Sequence, residues 1–266
     1  MKYKLIAVDM DGTLLDSSNH ISQKTIEAIH QSLQMGVLFT ISTGRSIQGI
    51  EKYNHLLSLD FPVIAYNGSM IVSLRSREIL YEKSLTASSV LEIIELGQKF
   101  ETTMCIWSRQ QLYVFEVNAE VKDYIKLSDV EPIIIADKNA LALQGVTKIL
   151  WYDNAKKIRM LEEEVREKLS DDATCCTSKP TFLEFFNSAA SKANALKFLG
   201  GLYDISPEEM IAIGDGLNDL PMLQYAGLGI AMANAQQDVK NRADFVTLSN
   251  DEDGIAFAIE KFVLTG

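Results

Sequence analysis

Cysteine, histidine and positive charge are all scarce in this 266-residue chain, and each shortage excludes something. The three cysteines, Cys105, Cys175 and Cys176, are odd in number and two are adjacent. They lay out no disulfide framework and no zinc-ligand spacing, so a reducing, cytoplasmic compartment is expected. The three histidines, His20, His30 and His55, have no neighbours that suggest a triad or a metal site. Lys plus Arg total 25 against 36 Asp plus Glu, a formal charge of −11. That balance argues against a general nucleic-acid binder and against docking on an anionic membrane. Long apolar runs are missing too. The stretches at 63–65 and 133–136 fall far short of the ~20 residues a membrane helix needs, which also excludes a transport ATPase. The opening Met1-Lys2-Tyr3-Lys4 leads straight into a strand-like segment, and no signal peptide is expected. No Gly-x-Gly-x-x-Gly follows that first strand, which disfavours a dinucleotide-binding oxidoreductase.

What is present is a rhythm of buried strands and helices. Residues 4–8 (KLIAV) read as a buried strand. Residues 22–35 read as a helix, with Ser22 as N-cap, Ile26, Ile29 and Leu33 at helical spacing, and Gly36 as the stop. Residues 37–42 and 62–66 read as further strands, with a helix over 46–57 between them. Such apolar runs, with little two-residue alternation, suggest strands covered on both faces in a parallel α/β sheet. From about residue 84 the pattern changes to helices mixed with a hairpin around 108–111. Ile158, Leu161, Val165 and Leu169 recur there on one face of a charged helix. After Asn187 the first rhythm returns, with a helix from Lys192 and a strand over 210–213. The expected organisation is a core from residues 1–83 and 187–266, interrupted by an α+β domain over 84–186.

The polar residues gather just after the buried strands. Asp9-Met10-Asp11-Gly12-Thr13 follows the first, Thr43-Gly44-Arg45 the second and Asn67-Gly68-Ser69 the third. Gly214-Asp215-Gly216-Leu217-Asn218-Asp219 follows the strand at 210–213. Strand C-terminal ends share one edge of an open parallel sheet, and ligands bind there. Asp9, Asp11, Asp215 and Asp219 could not share a small site without a cation, because like charges resist joint ionisation. Oxygen ligands without His or Cys favour a hard ion, Mg²⁺ above all. Arg45 and Lys192 add positive charge, and Gly12, Gly44 and Gly216 allow backbone N–H groups to approach an anion. This combination suits phosphoryl transfer.

These motifs, in this order, resemble the haloacid dehalogenase superfamily of phosphatases over essentially the whole chain. The first is Asp9-Met10-Asp11-Gly12-Thr13-Leu14-Leu15, the second Ser42-Thr43-Gly44-Arg45, the third Lys192 and the fourth Gly214 to Asp219. The tail, through Met222-Leu223, Ala226-Gly227, Ala231-Met232, Asn234-Ala235, Ala243-Asp244 and Asp253-Gly254, is similar to the Cof-type branch with its class IIB cap. One position departs: the family often has Gly after the motif Lys, and Ala193 stands here, which a helix start accepts.

The resemblance implies a Rossmann-like core with an inserted α+β cap between the second and third motifs, hinged near 83–84 and 187–188. It implies Asp9 as the nucleophile that forms an aspartyl-phosphate and Asp11 as general acid, then base. It implies Mg²⁺ held by Asp9, the Asp11 carbonyl and Asp215, with Asp219 orienting those ligands. Met10, Thr43, Gly44, Lys192 and Asn218 would bind the phosphoryl oxygens, with Arg45 and Asn67 facing the substrate. The implied substrates are small phosphate esters: sugar phosphates, nucleotides or cofactor phosphates such as pyridoxal phosphate. A phosphomutase on the same scaffold is the alternative.

Overall fold

The computed structural model describes residues 2–57 and 60–265, which fall into two compact units. The first comprises Met1–Arg45, Ile50–Tyr81 and Ser191–Gly266, and the second Ser46–Gly49 with Glu82–Ala190. In chain order the elements begin with β1 (Leu5–Val8), α1 (Gln23–Gln34), β2 (Leu38–Ile41), α2 (Ile47–Leu57), β3 (Val63–Ala65), β4 (Met70–Val72) and β5 (Ile79–Glu82). Next come α3 (Ala87–Lys99), β6 (Thr103–Ser108), β7 (Gln111–Val114), α4 (Ala119–Ser128), β8 (Ile133–Ile134), α5 (Lys138–Leu143), β9 (Lys148–Tyr152), α6 (Ala155–Arg166), β10 (Ala173–Lys179) and β11 (Phe182–Asn187). The chain closes with α7 (Lys192–Tyr203), β12 (Met210–Gly214), α8 (Leu220–Tyr225), β13 (Leu228–Ala231), α9 (Gln237–Lys240), β14 (Phe245–Val246) and α10 (Gly254–Ile259).

The first unit is built on a five-stranded sheet in the order β14-β13-β12-β1-β2, with every neighbouring pair parallel. β1 lies in the middle and pairs Leu5–Val8 with Met210–Ile213 on one side and Leu38–Ile41 on the other. All four of its residues are buried, as expected of a strand covered on both faces. Two of its helices, α1 and α7, start where side chains cap them: the Ser22 hydroxyl accepts from Thr25 N at 3.1 Å and that of Ser191 from Asn194 N at 3.0 Å. The third predicted strand differs from expectation. β3 is linked to the parallel sheet by a single bridge, Ser42 to Ile64, and otherwise pairs antiparallel with β4 in the small sheet β3-β4-β5. The reason is local. Tyr66, Asn67 and Gly68 all have positive φ (51°, 55° and 93°), which turns the chain back on itself at once.

The second unit is a six-stranded sheet, β10-β11-β9-β6-β7-β8, antiparallel except for the β7–β8 pair. Ile106, Ile149, Trp151, Leu183 and Phe185 pack with Ile93 and Ile94 of α3 and with Ile158, Leu161 and Val165 of α6. The latter three are fully buried, matching the spacing read from sequence. Each such side chain contributes about 1.5–3 kcal/mol by burial.

Candidate active site

Four strand ends, of β1, β2, β3 and β12, and the start of α7 bring the site together within the first unit. Asp9 follows β1 directly and its backbone N–H donates to Ile213 O at 2.9 Å, so the first motif is hydrogen-bonded to the strand that leads into the fourth. The loop then coils tightly, with Leu14 N donating to Asp9 O and Leu15 N to Met10 O. Gly12 permits this. Its φ is +78°, and a Cβ there would lie 2.6 Å from Asp215 Oδ2. Thr13 Oγ1 donates to Asp215 Oδ1 at 2.6 Å.

The fourth motif organises itself. Asp219 is 1% exposed, and its Oδ2 accepts from the backbone N–H groups of Asp215 (2.9 Å) and Gly216 (2.8 Å). This closes the loop after β12 and fixes Asp215 beside Asp9. Lys192, the first residue of α7 and 1% exposed, donates from Nζ to Asp9 Oδ1 and to Asp219 Oδ1. The lysine motif is thus the cation that joins the first and fourth motifs.

Two carboxylates then hold one ammonium, and a third lies close to them. One oxygen each from Asp9, Asp215 and Asp219 lie within 4.8 Å of one another. Burial, then the Asp219 and Asp215 charges, push the Asp9 carboxyl well above the ordinary range against the opposing pull of Lys192. Burial likewise raises Asp215 to about 6, and the Thr13 hydroxyl pulls against that shift. Burial works against the Lys192 ammonium, but Asp219 and Asp9 outweigh it and hold its pKa above the ordinary value. The surplus of negative charge is what a bound cation would relieve. The donors are all carboxylate oxygens, and among the described residues this is the only acidic, histidine or cysteine cluster of that kind. They fit a hard divalent ion.

The remaining predicted residues divide. Thr43 is 1% exposed, and its carbonyl accepts from Asn67 N at 2.9 Å while its hydroxyl accepts from Arg45 N at 3.2 Å. Asn218 Nδ2 donates to Asn67 Oδ1 at 3.1 Å, and Asn67 also lies against Gly44, where a Cβ would sit 3.0 Å from its Oδ1. The turns after β2, β3 and β12 are therefore in contact. Met10 is fully buried. Arg45 grips Asp11 in a fork, Nε to Oδ2 at 2.8 Å and Nη2 to Oδ1 at 2.6 Å, over the Tyr53 ring. Such bidentate pairing is the geometry a guanidinium favours with a carboxylate. Asp11 itself is half-exposed and belongs to a separate pair from the Asp9–Asp215–Asp219 group. Sequence reading missed the Thr13 hydroxyl, although its place beside Asp11-Gly12 was a signal.

The haloacid dehalogenase-like hydrolase family model matches residues 6–259. The chain belongs to that family. The resemblance drawn from the four motifs is borne out, and the parallel-sheet architecture agrees with it. The chain is a phosphatase of the haloacid dehalogenase type, a phosphoric monoester hydrolase. It is 32% identical to a putative phosphatase of Bacillus subtilis, YxeH, over 98% of this chain and 99% of that one. It is also 32% identical to the B. subtilis 5-amino-6-(5-phospho-D-ribitylamino)uracil phosphatase YcsE, over 98% and 96%. Among solved structures, a haloacid dehalogenase-like hydrolase from Bacteroides thetaiotaomicron superposes with a TM-score of 0.88 at 32% identity, covering 98% of this chain and 99% of that one. No helix among the described residues of this hydrolase is long and apolar enough to cross a membrane.

Proposed function

We propose that the chain hydrolyses phosphoric monoesters of small metabolites, with Asp9 as nucleophile and Asp11 as the proton donor and acceptor. The observation that carries this reading is the meeting of Asp9, Asp215 and Asp219 around Lys192 at the ends of β1 and β12. An Asp9 oxygen attacks phosphorus and the bond to the leaving oxygen breaks, giving an aspartyl-phosphate. Asp11 gives that oxygen its proton, so the alcohol leaves neutral. Asp11 then takes a proton from water as the water oxygen attacks phosphorus. The bond to Asp9 breaks, and inorganic phosphate and both carboxyl groups are restored. For this Asp11 exchanges its Arg45 partner for the substrate, which frees the guanidinium for an anion.

Lys192 keeps Asp9 oriented and offsets charge on the phosphoryl oxygens. Thr43, Asn218 and the N–H groups of Met10 and Gly44 bind those oxygens, and Arg45 and Asn67 face the rest of the substrate. Positioning and charge compensation are the main demands of this reaction. Asp9, Asp215 and the Asp11 carbonyl would hold Mg²⁺, while Asp219 fixes the loop that carries Asp215. When bound, that ion neutralises the carboxylates and polarises a phosphoryl oxygen.

In this reading the second unit is the family's cap, inserted in the chain between Thr43 and Lys192. The substrate is a small phosphate ester rather than a nucleic acid or a membrane, in keeping with the charge of −11. The three free cysteines suit a cytoplasmic setting. Hydrolysis is favoured over mutase chemistry by the relatives named as phosphatases.

The test is phosphate release from p-nitrophenyl phosphate with Mg²⁺ or EDTA. Wild type should turn over only with the metal, and Asp9→Asn, nearly isosteric, should lose at least about four orders of magnitude while keeping its circular dichroism. Retained turnover in Asp9→Asn would falsify the assignment of the nucleophile.

A further inference from the structure

The last part of the chain reaches back to the loop that carries Asp11. Asn234 Nδ2 donates to the Gly12 carbonyl at 2.8 Å, across 222 residues of sequence. Asn250 Nδ2 donates to the Leu15 carbonyl at 2.9 Å. The two asparagines are joined, because Asn250 N donates to Asn234 Oδ1 at 3.1 Å. Asp251 continues the strap: its two oxygens accept from Ser17 N at 2.8 Å and Ser17 Oγ at 2.6 Å. Both anchors are themselves fixed. Asn234 comes just after Met232, whose N–H donates to Gly214 O at the end of β12. Asn250 opens a single 3-10 turn braced by the reciprocal Ser249–Glu252 capping box.

The Asn234 side chain lies at the exposed surface, so its value is polar rather than apolar packing. It donates from Nδ2 and accepts at Oδ1, a donor and an acceptor on two separate atoms, which a hydroxyl or a carboxylate does not provide. Its target, the Gly12 carbonyl, belongs to the peptide joining Gly12, at φ +78°, to Thr13. That peptide begins one residue after Asp11 and leads, on its other side, into Thr13, whose hydroxyl is bonded to Asp215. We propose that Asn234, braced by Asn250, is a positioning residue that sets the proton-transfer geometry of Asp11 through the Gly12 carbonyl. The inference rests on reading Asp11 as the donor to the leaving group.

A misplaced proton donor hurts a poor leaving group and spares a good one. The comparison is therefore between kcat/KM for an alkyl ester, glycerol phosphate, and for p-nitrophenyl phosphate, since kcat/KM reports leaving-group departure. Asn234→Ala should lower the alkyl value about tenfold or more and the aryl value by at most about threefold. Asn234→Asp, which keeps the acceptor and loses the donor, should behave alike. Asp11→Asn calibrates the full differential, and Asp9→Asn should lose both substrates together. An equal fall on both esters, or no fall, overturns the proposal. Hydrogen exchange supplies a readout apart from turnover: amides 13–17 should exchange at least about tenfold faster in Asn234→Ala, with β1 and β12 unchanged. Unaltered exchange there also overturns it. A wild type inactive on both esters would instead count against the phosphatase reading, and the exchange result would still decide whether Asn234 holds the loop.

Discussion

Each unit of this hydrolase buries a lysine against carboxylate, and the two arrangements differ in a way that separates chemistry from architecture. In the first unit Lys192 stands at a helix start, beyond the ends of β1 and β12, and meets Asp9 and Asp219, with Asp215 close by. In the second, Lys148 of β9 meets Glu184 of the neighbouring strand β11 at 3.1 Å, and both side chains are nearly fully buried. Glu184 lies directly opposite Leu150, so the pair is a diagonal one on a single sheet face. The first cluster carries more negative charge than its lysine offsets, and Asp9 and Asp215 are raised accordingly. In the proposed reading the perturbed carboxylates at the strand ends bind the ion and react, whereas the Lys148–Glu184 pair joins two neighbouring strands of one sheet. Trp107 belongs to the same inner environment as Lys148, donating to Tyr124 Oη at 2.8 Å.

Substitution of each lysine sharpens the contrast. Lys192→Met should lower kcat for p-nitrophenyl phosphate by about 10²–10³, the size expected for losing one buried charge-compensating group. Lys148→Met should act on stability instead. Removing the ammonium beside buried Glu184 should cost about 3–5 kcal/mol in urea unfolding, and the double change Lys148→Met with Glu184→Leu should recover most of it. Loss of turnover in well-folded Lys148→Met would break the distinction and bring the second lysine into the reaction.

The smallest expected effect concerns Cys105, beside Lys148. Burial pushes its thiol up to about 12, against the pull of the Lys148 charge. A raised thiol pKa favours the native state below the unfolded value of about 8.5. That advantage is lost as pH rises toward the folded value, by about 1.4 kcal/mol per pH unit. Unfolding midpoints between pH 8 and 10 should therefore fall less steeply in Cys105→Ala. Iodoacetamide at pH 8 should modify native Cys105 at least about a hundredfold more slowly than the unfolded chain. Fast native labelling would place that sheet face in solvent.

Much of the site was legible because its chemistry is written next to strands. A buried run that ends in Asp-x-Asp-Gly or Gly-Asp-Gly puts those residues at the sheet edge whatever else the chain does, since a parallel strand must end where its loop begins. The fold of Asp219 onto the amides of Asp215 and Gly216 is equally local. The sequence also carried the alternation of strands and helices in the first unit and the apolar stripe of α6. Strand β3 defeated the same reasoning, because three successive positive-φ residues reversed the chain where an apolar run promised another parallel member.

What the sequence by itself determined is the chemical inventory: carboxylates, one lysine, small residues at turns, and the order in which they meet the sheet. Tertiary structure alone decided the pairings. The motifs brought Lys192 and Asp9 to one site, but nothing in the string bonds the two across 183 residues, commits Arg45 to Asp11, or sends Asn234 back to Gly12. Local propensity acts over a few residues, whereas these bonds depend on which strands become neighbours, and that is fixed only when β1 settles between β2 and β12.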